Sequence, residues 1–181
     1  MTDILSAVFR SLLPSEYCES IYSFDFDRAY AEGKRIVLFD IDNTLVPHGA
    51  PADERSLMLI SGLKEKGFRL CAVSNNREPR VKGFCEAADV EYVFSAGKPK
   101  TRGYLDGIRR LGGKSGETVF FGDQVFTDIL GANRAGLTSI LVRPIDASTD
   151  EIQIRFKRIL EKPLIKAFLR DKGIAINRYF Y

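Results

Sequence analysis

Cysteine is scarce in this chain, and the other marks of a secreted or membrane-spanning protein are missing as well. Cys18, Cys71 and Cys85 are odd in number and spaced for neither a disulfide framework nor a zinc site, which fits a reducing compartment. No apolar run approaches the ~20 residues that a membrane span needs. The longest, Ile36–Phe39 and Ile140–Val142, are strand-sized. Asp3, and Arg10 within the first apolar stretch, argue against a cleaved signal peptide. Internal repeats and low-complexity segments are absent. The expected location is the cytoplasm, with room for peripheral attachment at the inner membrane face.

What is present describes a soluble α/β protein. Apolar residues make up 45% of the 181 positions and charged residues 28%, enough for one well-buried core and too few residues for two ordinary domains. Residues 1–181 are therefore read as one domain, with a core at about 35–142 and a basic amphipathic segment at about 151–181. The net charge of +3 is unevenly spread. From Arg155 onward eight Lys or Arg face Glu161 and Asp171, which makes that segment +6 and the remainder −3.

Between these limits β-rich runs alternate with amphipathic stretches. Ile36–Asp40 is a continuous apolar run closing on a carboxylate, as in a strand covered on both faces. Helical spacing at Arg55, Leu57, Leu59, Ile60 and Leu63 stops at Gly67, and Phe68–Val73 is a second strand. Pro79 opens a helix through Ala88, followed by a strand at Glu91–Phe94 and a helix from Pro99 to Leu111. Thr118–Phe121 is a fourth strand, Phe126–Ala135 a helix, and Thr138–Val142 a fifth strand. This rhythm implies a three-layer, Rossmann-like doubly wound fold, in which ligands bind beyond the carboxyl ends of the strands.

Three of those strand ends carry unusual chemistry. Strand one runs into Asp40-Ile41-Asp42-Asn43-Thr44, strand two into Ser74-Asn75-Asn76, and strand four into Gly122-Asp123-Gln124 with Asp128 beyond. Ionised carboxylates at the end of a buried strand are costly unless something compensates them. Asp40, Asp42 and Asp123 in one cleft would call for a hard divalent cation, because every donor is oxygen.

In these motifs the chain resembles the haloacid dehalogenase superfamily of phosphotransferases. Its first motif fits Asp40–Thr44, its second Ser74, its third Lys98 and its fourth Gly122–Asp128, over about Arg35 to Val142. The resemblance implies a central parallel five-stranded sheet in the order 5-4-1-2-3. It implies Asp40 as nucleophile and Asp42 as general acid/base. Thr44, Ser74, Asn75 and Lys98 would bind phosphate, with Lys100 a possible substitute for Lys98. Mg²⁺ would be held by Asp40, the backbone carbonyl of Asp42, and Asp123, with Asp128 behind. The second aspartate marks phosphoryl transfer rather than dehalogenation in this superfamily.

Neither Thr44–Ser74 nor Asn76–Lys98 has room for an inserted cap domain, and an open site suits a bulky phosphomonoester. Leu13–Tyr17, Phe39–Val46 and Gly122–Gly136 further resemble the YqeG-type subclass III A phosphatases, a group similar to the mitochondrial phosphatidylglycerophosphate phosphatases. That implies an anionic phospholipid as substrate. Phe156, Ile159, Leu160, Leu164, Ala167 and Phe168 form a stripe at helical spacing opposite Lys and Arg. Such a stripe packs on the core or lies on an anionic membrane, and Pro163 would kink the helix or start a second one. The Arg178-Tyr179-Phe180-Tyr181 ending fits either view. His48 is a loop residue or touches substrate at the mouth. The competing expectations are soluble sugar phosphates or nucleotides as substrates, or a non-catalytic nucleic-acid-binding scaffold; against the last, no aromatic–basic interleaving of an RNA-binding type is present.

Overall fold

A computed structural model describes residues 9–174 of the chain. Its strands are β1 (Glu16–Cys18), β2 (Ile36–Phe39), β3 (Arg69–Val73), β4 (Glu91–Val93), β5 (Thr118–Gly122) and β6 (Thr138–Val142). Between and after them lie α1 (Phe26–Ala31), α2 (Glu54–Glu65), α3 (Glu78–Ala88), α4 (Arg102–Arg110), α5 (Leu130–Arg134) and α6 (Ile152–Asp171). The strands form one parallel sheet in the order β1-β6-β5-β2-β3-β4. The five from β6 to β4 reproduce the expected 5-4-1-2-3 order. The count is corrected from five strands to six, because β1 adds to the open edge of β6. Three half-buried residues, Glu-Tyr-Cys, give that strand no apolar run by which to announce itself.

Continuous apolar strands are explained by burial on both faces. Val37, Phe39, Leu70, Ala72, Val119 and Phe121 point to one side, against Ile60 and Leu63 of α2 and Val81 and Phe84 of α3. Their neighbours Ile36, Leu38, Cys71, Val73 and Phe120 point to the other, against Tyr104 and Ile108 of α4 and Ala132 of α5. Alternate residues of one strand thus serve two cores. The three cysteines are free, Cys71 and Cys85 buried and Cys18 half-buried. One helix joins β2 to β3, and only α3 and β4 lie between β3 and Lys98, so no cap domain interrupts the fold.

Three expected elements differ in detail. The helix read from Pro99 begins only at Arg102, because Gly97–Lys100 close a turn through Lys100 N donating to Gly97 O at 2.9 Å. The helix read over 126–135 opens with a wide π-type turn at Val125–Ile129 before α5. The C-terminal helix runs unbroken through Pro163 and packs on a face rotated from the expected stripe. Arg158, Glu161, Ile165, Phe168 and Leu169 are buried, with Leu164 half-buried, while Phe156, Ile159, Leu160 and Ala167 face outward. The Arg178–Tyr181 ending lies outside the described residues. Among the described residues no helix is long and apolar enough to cross a membrane.

Tyr104 ties the second core to the functional end of the sheet. It is fully buried, and its hydroxyl donates to the carbonyls of Thr127 at 2.9 Å and Asp128 at 3.1 Å. Gly131 makes room for it: a Cβ there would lie 2.4 Å from the Tyr104 oxygen. Gly131→Ala is therefore expected to lower stability by about 1–3 kcal/mol, read as a lower urea midpoint.

Candidate active site

The parallel sheet delivers its chemistry to one edge. Asp40 directly follows β2, its N–H bonded to Phe121 O of β5 at 2.9 Å. Asp123 directly follows β5. Asp128 folds back over the same strand end from the wide turn, where its Oδ2 accepts from Gln124 N at 3.1 Å. Gly122 permits that approach, since a Cβ at this position would sit 2.4 Å from Asp128 Cβ. One carboxylate oxygen from each of Asp40, Asp123 and Asp128 lies within 4.8 Å of the others, and all three residues are buried.

Two buried cations hold this cluster. Lys98 Nζ lies 2.8 Å from Asp40 Oδ1 and 2.7 Å from Asp128 Oδ1. The Lys98 backbone is in turn gripped by the Asn75 amide, which accepts from Lys98 N at 2.7 Å and donates to Lys98 O at 3.2 Å. The second cation is Arg158 of α6. It donates to Asp123 Oδ2, to the Asp123 carbonyl at 3.2 Å and to both oxygens of Asp150. Asn43 completes the network by donating to Asp150 Oδ1 at 2.8 Å and accepting from Asp146 N at 3.0 Å. Its φ of +60° is in the left-handed region, which Asn tolerates better than most residues.

Asp42 stands apart from the cluster on the cavity wall. It accepts from Gly49 N at 2.7 Å, Asn76 Nδ2 at 2.5 Å and Arg80 Nη2 at 2.8 Å. A polar cleft of about 160 Å³ opens between these groups, lined by Asp40, Asp42, Ser74, Asn75 and Lys98 below and by His48, Ile154 and Lys157 at the rim.

The electrostatics leave a deficit of positive charge. Five carboxylates (Asp40, Asp42, Asp123, Asp128, Asp150) meet three cations (Lys98, Arg80, Arg158), a net of two negative charges when all are ionised. Burial pushes the carboxyls of Asp40 and Asp123 upward; Lys98 and Arg158 oppose this, and Asp128 beside each adds to it. Lys98 is itself held above the ordinary lysine range, burial being outweighed by Asp128 and Asp40. Asp123 Oδ1 is buried with no hydrogen-bond partner. An orphaned carboxylate oxygen, an all-oxygen donor set and an excess of two negative charges fit a divalent hard cation.

Residues 54–136 match the family described as haloacid dehalogenase-like hydrolase. Probable phosphatase YqeG of Bacillus subtilis is 35% identical over 162 residues, which is 89% of this chain and 93% of that protein. The chain belongs to the haloacid dehalogenase-like hydrolases. Phosphatidylglycerophosphate phosphatase 1 of Arabidopsis thaliana is 29% identical over 182 residues, covering 90% of this chain and 49% of its own length. A hydrolase from Pseudomonas syringae shares the fold, with a TM-score of 0.52 at 14% identity over 78% of this chain and 100% of that one.

Most of the residues singled out in the sequence come together in this hydrolase. Asp40, Asp123, Asp128 and Lys98 meet directly, and Asp42 and Ser74 line the same cleft. Thr44 and Asn75 sit differently from the others. Thr44 is buried, its hydroxyl has no partner among the described residues, and it does not line the cleft. Asn75 lines the cleft, but its amide is engaged with the Lys98 backbone, so it positions Lys98. Lys98 is buried against Asp40 and Asp128, whereas Lys100 is exposed. His48 lies at the rim.

Sequence reasoning missed Arg80, Asn76, Asp150, and the roles of Arg158 and Glu161. Arg80 was within reach, since it lies in the first turn of the helix that directly follows Ser74-Asn75-Asn76. Arg158 and Glu161 share the helix face of Ile165, Phe168 and Leu169. Ionisable residues on an apolar face were the available signal.

Removing either partner of a buried ion pair strands the other. Arg158→Met leaves Asp123 and Asp150 buried without their cation and is expected to cost about 3–5 kcal/mol, measured by urea unfolding. Glu161 gives a pH signature. Its Oε1 accepts from Phe126 N at 2.9 Å, and burial pushes its carboxyl from 4.5 up to about 7. The folded protein therefore keeps a proton that the unfolded chain has released, and stability falls as pH rises from 4.5 to about 7. Glu161→Gln removes that slope. Its stability relative to the parent should rise by about 3 kcal/mol across this window and stay level above it.

Proposed function

We propose that the chain is a Mg²⁺-dependent phosphatase that hydrolyses phosphate monoesters through a phospho-aspartate on Asp40, with a phosphatidylglycerophosphate-type lipid as substrate. The observation that carries this reading is the buried meeting of Asp40, Asp123, Asp128 and Lys98 beside Asp42, at the open ends of β2 and β5. The name of the Bacillus relative supports phosphatase activity, and the name of the Arabidopsis relative supports the lipid.

Asp40 and Asp123, with the backbone carbonyl of Asp42, would hold the Mg²⁺, and Asp128 stands behind them. The bound cation would offset the repulsion between a carboxylate and a phosphate dianion. An Asp40 oxygen attacks phosphorus as the ester P–O bond breaks, and the alcohol leaves with a proton from Asp42. Asp42 then takes a proton from the water that attacks the phospho-aspartate, which releases inorganic phosphate and restores Asp40. Lys98 and the Ser74 hydroxyl stabilise the equatorial oxygens during both transfers. Gly49, Asn76 and Arg80 orient Asp42 for its double role. The lipid reading brings with it a peripheral contact with an anionic membrane through the C-terminal segment.

Phosphate release from phosphatidylglycerophosphate in mixed micelles, with and without Mg²⁺ and beside a panel of soluble phosphomonoesters, tests the reading. Mg²⁺-dependent release preferring the lipid is expected, and Asp40→Asn should lower it about a thousandfold or more without unfolding the protein. Release from soluble esters alone removes the lipid, and an active Asp40→Asn protein removes the phospho-aspartate.

A further inference from the structure

The helix α6 has a second face, opposite the one that completes the site. Ile152 is 83% exposed, Phe156 66%, Ile159 59% and Leu160 54%, the four most exposed large apolar side chains on this helix. Pro163 and Ala167 are exposed beside them. At about 100° per residue these six positions fall within an arc of about 100°. Ile165, Phe168 and Leu169 already bury the far side of the helix, so this arc is not needed for packing on the core. Arg155, Lys166 and Arg170 are exposed along or within its border, with Lys162 half-exposed on the same flank.

The position of this face is as informative as its composition. The first turns of α6 form part of the active-site rim, where Glu151, Ile154 and Lys157 line the cleft. The apolar arc begins at Ile152 and Phe156, within one turn of those residues. Around the helix, however, the arc points away from Ile154 and Lys157, so a partner on the arc would sit beside the cleft and leave its mouth uncovered.

We propose that this face of α6 docks on an anionic lipid bilayer, with the helix lying in the interfacial plane and the cleft held beside the headgroup layer. The proposal deepens, and rests on, the reading of the site as a phosphatase of an anionic phospholipid. Charge decides the occupant. Apolar side chains bordered by cations match an acyl boundary beneath a layer of phosphates. A second copy of the chain, paired two-fold on the same patch, would instead set the Arg155, Lys162 and Lys166 border against its own image. Each basic residue near an anionic surface raises partitioning by about fivefold, so the border discriminates strongly between charged and neutral bilayers.

The test is flotation of the full chain with phosphatidylcholine vesicles made with and without phosphatidylglycerol. Turnover of phosphatidylglycerophosphate in the vesicles and of soluble p-nitrophenyl phosphate is followed in the same samples. The protein should float with the anionic vesicles and not the neutral ones, and salt should release it. Phe156→Ser combined with Ile159→Ser, both exposed and outside the cleft, should lower the bound fraction about tenfold or more. Lipid turnover should fall in parallel, with soluble turnover unchanged. Arg155→Gln with Lys166→Gln should weaken binding to the anionic vesicles alone. Equal flotation with both vesicles, wild-type flotation by the serine variant, or a dimer in light scattering that the serine variant loses would each overturn the docking face. Flotation as expected without turnover of any ester would support the docking and overturn the phosphatase reading instead, which separates the two.

Discussion

Everything at the working end of this protein follows from crowding carboxylates where water is excluded. Asp40, Asp123 and Asp128 sit at the ends of two adjacent central strands with oxygens within 4.8 Å of one another. Like charges that close in a buried setting raise each other's affinity for protons, and burial raises it further. Left alone, the cluster would neutralise itself and lose its chemistry. Lys98 and Arg158 oppose this. One bridges Asp40 to Asp128, and the other ties Asp123 to Asp150. The compensation is partial, and the remaining excess of negative charge gives the site its fit for a divalent cation.

The two cations differ in kind as well as position. Lys98 is a compact ammonium between two single oxygens, reached from the loop after β4 and fixed through its own backbone by Asn75. Arg158 spreads five donors in a plane and can hold two carboxylates and a carbonyl at once. It uses one oxygen of Asp123 and leaves the other unpartnered. A lysine at position 158 could not make that division, because it lacks the fork that fixes the carboxylate plane.

How much of this the sequence revealed depends on how local the signal was. The four inner strands β2, β3, β5 and β6 were legible because burial on both faces forces nearly unbroken apolar runs, and Asp40 and Asp123 because each closes such a run. The edge strand β1 was not, since three half-buried residues carry no periodicity. Asn75 and Thr44 illustrate a different limit. Their motif positions are right beside the chemistry, yet their side chains turn to the Lys98 backbone or into the interior. Sequence spacing gives the neighbourhood of a polar side chain, and only tertiary geometry gives its partner. Arg158 shows the same limit at long range, acting 35 residues from Asp123 in a helix whose basic character pointed outward.

That long-range pairing changes what counts as the candidate site. The stretch that matches the family, residues 54–136, contains Asp123 but neither Asp40 nor Arg158. A core ending at Val142 would leave Asp123 beside Asp128 without the cation that opposes its upward shift. The C-terminal helix is thus part of the site rather than an appendage to it. Its Ile165, Phe168 and Leu169 anchor the helix against Val125, Ile129 and Leu141, the residues that shape the turn carrying Asp128. One helix therefore fixes both the charge on Asp123 and the turn behind it. Its outward face remains free to meet a surface without disturbing either.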